Sequence, residues 1–213
     1  MQRFFDILIS GLAILFLSPL FIIVIFLLRF TGEGEVFFKG ERIGKNREKF
    51  QILKFVTMVK DSPNIGTGTL TVGDDPRILP LGKYLRNWKI NELPQLLNIF
   101  FGHISIVGPR PVMRVSFNSY PQDVQGVIYN VKPGLTGVGS IIFRDEEELI
   151  TNCKNSGGDV IDFYKNKIYP FKGKLEIWYQ KNKSFTLDLK LILITAWVVF
   201  FPKSIIYEKF FVN

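Results

Sequence analysis

The chain has a single cysteine, Cys153, and a single histidine, His103, among its 213 residues. One cysteine excludes an internal disulfide and a cluster of thiolate ligands. One histidine argues against a conventional zinc site, which draws several ligands from Cys and His. A Ser-His-acid triad would have to use His103. The chemistry is therefore expected from carboxylates, lysines and arginines, with a hard cation as a possible helper.

Two phosphate-binding motifs are also absent. The sequence contains no Gly-x-x-x-x-Gly-Lys-Ser/Thr loop, and Gly134, Gly137 and Gly139 have the wrong spacing for Gly-x-Gly-x-x-Gly. Basic residues outnumber acidic ones, 27 to 19. This excess suits anionic lipids, nucleotide phosphates or nucleic acid. Because aromatic and basic residues are not interleaved on one predicted face, we expect no nucleic-acid partner.

A long apolar run near the N-terminus predicts a membrane helix. Between residues 4 and 28 the polar side chains are Asp6, Ser10 and Ser18, and the run is long enough to cross a bilayer. A secretory signal peptide fits poorly, because no small-residue cleavage site follows. Ser18-Pro19 interrupts the run, since proline disfavours a helix interior. The residues leave two interpretations open: a kinked spanning helix, or a re-entrant hairpin that returns to the same side.

The rest of the chain predicts an α/β fold that is mostly α. Residues 31–55 alternate as a strand pair around a turn at 44–47. Residues 132–137 predict a further turn. We expect three units: a membrane hairpin at 1–30, a cytosolic domain at 31–185 and an amphipathic segment at 186–213. Helices are expected at residues 79–88, 93–101, 115–130 and 159–181, the last interrupted near Pro170.

The C-terminal segment has two interpretations. Residues 191–201 are apolar but too short to span a bilayer, and residues 205–211 mix apolar and basic side chains. This pattern is typical of a helix that lies in the membrane interface. Simple packing of a terminal helix on the core is the alternative.

Two segments that contain acidic residues are candidates for a catalytic or metal-binding role. Asn91 and Glu92 precede a helix with Pro94 in its first turn and Gly102 as its stop. The free amides and dipole of a helix N-terminus favour phosphate. The acidic run at 145–148 fits a solvated helix start or, less simply, a metal site.

Several segments together resemble the bacterial sugar transferases, the monotopic polyprenol-phosphate phosphoglycosyl transferases. The resemblance covers residues 4–197, and its order and spacing are more specific than any one motif. It implies a Ser-Pro break in a re-entrant helix, at Ser18 and Pro19, and a bacterial inner membrane protein with its domain on the cytosolic face. The matching segments are residues 41–44, 54–58, 75–77, 81–86, 92–95, 105–111, 132–137 and 187–190.

The resemblance also implies a reaction. A sugar-1-phosphate moves from a nucleotide sugar, usually a UDP-sugar, to a polyprenol phosphate such as undecaprenyl phosphate, and UMP leaves. Mg²⁺ assists. The product begins a capsule, O-antigen, exopolysaccharide or glycoprotein glycan. Membrane lipid is a further expected partner, and a homodimer is left open.

The family's roles fall on particular residues here. Glu92 is the expected Mg²⁺ ligand or base. Cations must bring two anionic substrates together, and the planar fork of arginine suits phosphate oxygens. The expected phosphate-binding residues are Arg42, Lys54, Arg77, Arg86 and Arg110.

The position of the family's nucleophile is different. The family has Asp-Glu-Leu-Pro-Gln where this chain has Asn91 followed by Glu92. An amide oxygen is a far poorer nucleophile than a carboxylate. Three explanations are open: an engineered variant, a natural homologue that lost activity, or transfer of the role to Glu92. Further departures favour natural divergence: Val56, His103 and Gly139-Ser140.

Three functions follow as hypotheses. The first is an active transferase. The second is an inactive homologue that binds a nucleotide sugar or polyprenol phosphate. The third is a basic peripheral membrane scaffold without a ligand.

Overall fold

A computed structural model describes residues 2–65, 71, 75–201 and 204. Helices dominate them, and two two-stranded sheets complete the fold, so the predicted α/β class with mostly helix is confirmed. The helices are α1 (Gln2–Phe30), α2 (Pro80–Asn87), α3 (Gln95–Phe101), α4 (Arg114–Asn118), α5 (Gln122–Val127), α6 (Val138–Ile142), α7 (Glu146–Asn155), α8 (Val160–Phe163), α9 (Tyr169–Asn182) and α10 (Phe185–Phe200). The strands are β1 (Phe37–Ile43), β2 (Lys49–Phe55), β3 (Ser105–Val107) and β4 (Gly134–Thr136).

Helix α1 runs through the predicted break. The hairpin interpretation predicts two helices separated at Ser18-Pro19, but Pro19 lies inside one continuous helix, so the predicted helix-break-helix is wrong at the level of secondary structure. Pro19 has no N–H to donate to the carbonyl of Leu15, four residues earlier. The Ser18 hydroxyl donates to that carbonyl instead, at 2.8 Å. The helix therefore continues with its carbonyl satisfied.

One side of α1 packs on the protein, at both of its ends. Near the start, Asp6 accepts a hydrogen bond from Ser105 Oγ at 2.9 Å. Near the end, Val24 and Leu28 are buried in a cluster with Phe55. Of the helices in the described residues, α1 is the one that is long and apolar enough to cross a membrane. Its other side exposes large apolar side chains: Phe4, Leu12, Leu15, Phe16, Ile22, Ile23, Phe26 and Phe30.

Strands β1 and β2 form the predicted hairpin. They are antiparallel, and their register pairs Arg42 with Phe50 and Phe38 with Lys54. The predicted turn is a 3₁₀ turn at Lys45–Arg47. Because side chains alternate between the two faces of a strand pair, Arg42 and Lys54 project from the same face.

A short parallel strand pair replaces the turn predicted at 132–137. Strand β4 pairs with β3, with Ser105 opposite Gly134 and Val107 opposite Thr136. A Cβ on Gly134 would lie 2.1 Å from the backbone nitrogen of Gly108. Glycine therefore lets two backbones approach closely, and this tertiary contact overrides the local turn preference.

The C-terminal helices enclose one core. A π-helical turn at Tyr164–Ile168 separates α8 from α9 just before Pro170, as predicted. Helix α10 buries Leu191, Ile194 and Val198 in a cluster with Tyr179, from α9.

The structure shows core packing for α10, and the interfacial interpretation stays a prediction. The inner face of α10 packs on the core, whereas its outer face is apolar and exposed. The predicted interfacial residues 205–211 lie outside the described residues. Helices α1 and α10 end and begin near the predicted unit boundaries, although the division into units stays a prediction. The exposed side chains of α10 are Phe185, Leu189, Leu193, Trp197 and Phe200.

Candidate active site

Glu92 lies at the centre of a cluster of opposite charges. Its Oε1 accepts hydrogen bonds from Lys54 Nζ at 2.7 Å and from Arg110 Nη2 at 2.8 Å. Glu92 is the last residue of a 3₁₀ turn, Ile90–Glu92, that leads into α3. The turn follows Lys89, which has a left-handed φ of 55°. The fold therefore brings together three residues that the sequence predicts for the site.

Helix α3 and strand β2 hold Lys54 beside Glu92. The side chain of Asn98 bridges the two elements. Its Oδ1 accepts from the backbone N–H of Leu53 at 2.9 Å, and its Nδ2 donates to the carbonyl of Gln51 at 2.8 Å. The next residue along β2 is Lys54, so this bridge fixes the distance between the lysine and α3.

The loop that carries Arg110 is fixed from behind by Tyr129. The Tyr129 hydroxyl donates to the carbonyl of Arg110 at 2.9 Å and accepts from the N–H of Val112 at 3.1 Å. The Arg110 side chain is 45% exposed. It therefore contacts Glu92 and still presents N–H groups to solvent or to a ligand.

The charged groups of the cluster shift one another's pKa values. Burial works to raise the pKa of Glu92, but Arg110 and Lys54 outweigh burial and hold this pKa well below its usual range. Burial lowers the pKa of Lys54, and Glu92 partly offsets the effect. Burial and the charge of Arg110 lower the pKa of Arg42. One carboxylate facing three cations leaves excess positive charge, which favours an anionic ligand.

A small cleft opens beside this cluster. Asn91 is buried, with 7% exposure, and it is not among the described residues that line the cleft. Convergent guanidinium, ammonium and amide groups are donors suited to phosphate oxygens. The lining residues are Arg42, Ile52, Lys54, Gln95, Arg110 and Pro111.

The family of the chain follows from a comparison with known proteins. The model of the family described as bacterial sugar transferase matches residues 1–202. The chain belongs to the bacterial sugar transferase family. As a member of this family it is a transferase.

Individual relatives agree with the family. The exopolysaccharide production protein ExoY of Sinorhizobium fredii is 37% identical over 164 residues, 70% of this chain and 72% of the relative. The sugar transferase EpsL of Bacillus subtilis is 31% identical over 196 residues, 92% of this chain and 85% of the relative. The UDP-glucose:undecaprenyl-phosphate glucose-1-phosphate transferase of Klebsiella pneumoniae is 29% identical over 207 residues. These are 95% of this chain but 41% of the relative.

In this transferase, the side chain of Arg77 binds other groups of the protein. It is buried, and its Nε and Nη2 donate to the carboxylate of Asp75 at 2.8 and 2.5 Å. Its Nη1 donates to the carbonyls of Ser62 and Ile65, each at 2.8 Å. None of these partners belongs to the Glu92 cluster. The arrangement argues against the predicted phosphate-binding role, because the protein itself uses these guanidinium donors.

Arg86 and the acidic run meet on another surface of the transferase. Arg86 forms an ion pair with Glu147, which ties α2 to α7. Asp145 pairs with Arg144 at 2.7 Å and immediately precedes α7, without a capping hydrogen bond from its side chain. The prediction of a helix start is thus confirmed. The described residues contain no group of three or more His, Cys, Asp or Glu able to hold a metal, so the metal alternative for this run has no support.

Sequence reasoning missed a buried acid behind the Arg110 loop. Glu176, on α9, is 3% exposed. Burial raises its pKa to about 7, while the charge of Lys172 and a hydrogen bond from the backbone of Arg110 lower it. Glu176 therefore supports the loop that carries Arg110. Sequence reasoning missed Asn98 in the same way. Asn98 and Glu176 are each flanked by apolar residues in their helices. A polar residue on an apolar helix face is the sequence signal that could have identified both as buried structural groups.

Proposed function

We propose that this transferase moves a sugar-1-phosphate from a UDP-sugar to undecaprenyl phosphate, or another polyprenol phosphate, and releases UMP. The observation that carries the proposal is the Glu92 carboxylate held between Lys54 and Arg110 beside a cationic cleft. The activity named for the Klebsiella relative supports both substrate classes. The name of the ExoY relative favours an exopolysaccharide as the product's destination.

The basic residues of the cleft account for the binding of the two anionic substrates. A nucleotide diphosphate and a lipid phosphate are both anionic, so they repel each other unless positive charge lies between them. Arg42, Lys54 and Arg110 supply that charge in a cleft that is partly shielded from water. Arg110 combines partial exposure with a fixed backbone, which suits it to bind the diphosphate.

Glu92 is the carboxylate assigned to the reaction in the chain as it stands. Its low pKa keeps it ionised, and both cations contact Oε1, which leaves Oε2 to attack. Oε2 forms a bond to the sugar-bound phosphorus while the bridging oxygen–phosphorus bond breaks, and UMP leaves with the bridging oxygen. An oxygen of the polyprenol phosphate then attacks the same phosphorus, which forms the new diphosphate and frees Glu92.

Mg²⁺ is the proposed cofactor, and the protein alone fits it poorly. Glu92 is the predicted ligand, but Lys54 and Arg110 already neutralise it and would repel a dication. The described residues offer no cluster of further carboxylates at this point. Mg²⁺ commonly binds through one or two carboxylates together with substrate phosphates. We therefore propose that the ion enters with the diphosphate, and no step above is routed through it.

The contacts of α1 support a monotopic arrangement. A 29-residue helix is about 43 Å long, and both of its ends pack on the same domain. A helix that crossed the bilayer would place its two ends on opposite sides. We propose that both ends of α1 lie at the cytosolic face of the cytoplasmic membrane, with its exposed apolar side in lipid. A homodimer stays a prediction.

A second candidate function rests on Asn91. If the amide at this position abolishes turnover, the cationic cleft still binds a nucleotide sugar or a polyprenol phosphate. The chain would then act as a ligand-binding partner of an active homologue. The two candidates differ in UMP release but not in ligand binding.

The test measures UMP release from a panel of UDP-sugars with Mg²⁺ and undecaprenyl phosphate. The given chain is compared with Asn91→Asp and Glu92→Gln, and Glu48→Gln, an exposed acid, is the matched control. We expect turnover by the given chain, faster turnover by Asn91→Asp, and a loss of at least about 100-fold in Glu92→Gln.

Each outcome separates the candidates. Turnover only in Asn91→Asp would show a competent scaffold whose given form binds without reacting. Undiminished turnover in Glu92→Gln would reject the role assigned to Glu92. Absence of both turnover and calorimetric binding of every donor in all variants would reject the function itself.

A further inference from the structure

A second cationic cavity lies at the start of α1. Its volume is about 200 Å³, smaller than the pockets of drug-sized ligands. Four of the residues that line it are basic, and one, Asp6, is acidic. The charged lining residues are Arg3, Asp6, Lys45, Lys132 and Lys183.

The single acid offsets one of these four positive charges. Asp6 Oδ1 accepts from the hydroxyl of Ser105 at 2.9 Å and from the N–H of Ile106 at 3.0 Å. Its carboxylate is therefore held by β3. In the part of the chain that the structure describes, no acidic side chain forms an ion pair with Lys45 or Lys183.

The cations are held close to one another despite their repulsion. Arg3 donates to the carbonyls of Ile99 and Phe100 at 2.5 and 2.6 Å, and Lys132 Nζ donates to the carbonyl of Gly102 at 2.7 Å. Burial lowers the pKa of Lys132, and the charges of Arg3 and Lys45 lower it further, while the charge of Asp6 offsets part of the effect. A bound anion would relieve this repulsion.

The cavity adjoins the apolar surface of the molecule. Arg3 is followed by Phe4, which is 66% exposed, and by Leu8 and Leu12 one and two turns further on, 44% and 59% exposed. On the other side, Phe5 contacts Phe185 at the start of α10, with ring centroids 5.0 Å apart. A phosphate in this cavity would thus lie where a lipid changes from acyl chain to headgroup.

The cavity is separate from the Glu92 cleft. The two share no lining residue. Glu92 precedes α3, whereas Arg3 and Lys132 bind carbonyls at the C-terminal end of the same helix. Helix α3 has seven residues and spans about 10 Å, and the two positions lie at its opposite ends, so one ligand phosphate cannot occupy both places.

We propose that this cavity is a binding site for the phosphate of an anionic phospholipid headgroup. Four basic side chains, a small volume and the adjoining apolar helix faces fit a headgroup with a net negative charge. Bound lipid would fix the start of α1 against β3 and the α9–α10 connection. The site is independent of the proposed transfer reaction.

The experiment uses the full chain in a neutral detergent, without nucleotide sugar or polyprenol phosphate. The melting temperature is measured with dioctanoyl phosphatidylglycerol, with dioctanoyl phosphatidylcholine and with inorganic phosphate at equal concentrations. We expect phosphatidylglycerol to raise Tm by about 3 °C at saturation. The other two additions should have little effect, and high salt should weaken the shift.

Two pairs of variants test whether the rise in Tm comes from binding in this cavity. Lys45→Gln/Lys183→Gln should lose the shift, whereas Lys154→Gln/Lys174→Gln, two exposed lysines outside the cavity, should keep it. An equal shift in both pairs would overturn the proposed site. An equal shift with inorganic phosphate would show a simple anion site and overturn the lipid assignment. A failed lipid test would leave UMP release unaffected, so the two proposals fail separately.

Discussion

Asn91 and Glu92 are adjacent residues with different surroundings. Asn91 is buried, whereas Glu92 contacts Lys54 and Arg110 through one carboxylate oxygen. Asn91→Asp therefore introduces a carboxylate without removing the partners of Glu92. This is why Asn91→Asp and Glu92→Gln report on different parts of the mechanism.

Glu176 shows how a residue outside the cleft supports it. Its carboxylate lies behind the Arg110 loop, and Gly139 makes room for it, since a Cβ at position 139 would lie 2.4 Å from Glu176 Oε1. The other carboxylate oxygen has no hydrogen-bond partner in the structure. A buried carboxylate with an unsatisfied oxygen is costly when it is charged.

Replacing Glu176 with Gln should change how stability depends on pH. The folded-state pKa of about 7 exceeds the ordinary value of 4.5, so the folded state binds the proton more tightly than the unfolded chain. The stability of the given chain should fall by about 3 kcal/mol as pH rises from 4.5 through 7. Glu176→Gln should remove this fall, and its Tm should exceed that of the given chain at pH 8 but not at pH 4.5.

A matched acid supplies the control for Glu176. Glu148 is exposed, and Glu148→Gln should leave the pH dependence of Tm unchanged. If Glu176→Gln changed Tm equally at both pH values, the raised pKa of Glu176 would be rejected. Lys172 and the backbone of Arg110 remain in both variants, so their contributions cancel in the comparison.

At the scale of elements, close backbone contacts position the site. Gly108 joins β3 to the Arg110 loop, and its N–H donates to the carbonyl of Thr136 at 2.9 Å. A Cβ on Gly108 would lie 2.4 Å from the carbonyl oxygen of Lys132. Such an oxygen belongs to the backbone of a neighbouring segment and cannot move aside as a side-chain end can.

Gly108→Ala should therefore destabilise the protein and lower transfer activity. Overpacking costs typically about 1–3 kcal/mol, and the displaced segment carries Arg110. Gly126→Ala is the control: Gly126 is in α5 with nothing within 4 Å of its added Cβ, and alanine there should stabilise by about 0.5–1 kcal/mol. Equal Tm values for the two variants would contradict the proposed role of the β3–β4 contact.

Considering the whole molecule, the domain contacts one side of α1 from its start, through Ala13, Ile14 and Leu17, to its end, and leaves an apolar face uncovered. Arg3 and Asp6 bind the region between α3 and β3, and Leu28 packs near β2. This face and the exposed face of α10 present many large apolar side chains to the outside. Exposed apolar groups in such number mark an interaction surface, whereas single exposed apolar residues are normal. The surface is consistent with a protein that enters one leaflet.

Cysteine labelling tests this arrangement. In a Cys153→Ser background, single cysteines replace Gln2, Phe16 or Thr31, and a membrane-impermeant maleimide is applied to intact cells and to inverted membrane vesicles. We expect labelling at positions 2 and 31 only in inverted vesicles, because both ends of α1 face the domain. Position 16, 83% exposed on the apolar face, should be shielded by lipid on both sides.

Labelling of either end from outside the cell would reject the monotopic arrangement. Labelling of position 16 in both preparations would show that the apolar face is in water. Accessibility of Cys153 itself does not confound the result, because the background variant lacks it.

Local sequence patterns predicted several elements of the fold correctly. Hydrophobic periodicity and strong local signals define the apolar helix α1, the β1–β2 hairpin and the stop of α3 at Gly102, which has a φ of 86°. The resemblance to the bacterial sugar transferases supplied Glu92, Lys54 and Arg110 as candidate site residues, and the fold brings them together. The predictions of the elements succeeded because they depend on residues close in sequence, whereas the roles of the site residues stay predictions.

Contacts between distant parts of the chain decided the features that local sequence patterns did not predict. The tertiary structure continued α1 through Pro19 because Ser18 satisfies the freed carbonyl, and it made β4 from a predicted turn because two glycine-bearing backbones meet. It turned Arg77 toward Asp75 and placed Glu176 behind the Arg110 loop. Each of these outcomes depends on contacts and desolvation between residues far apart in sequence, and local propensity carries no information about them.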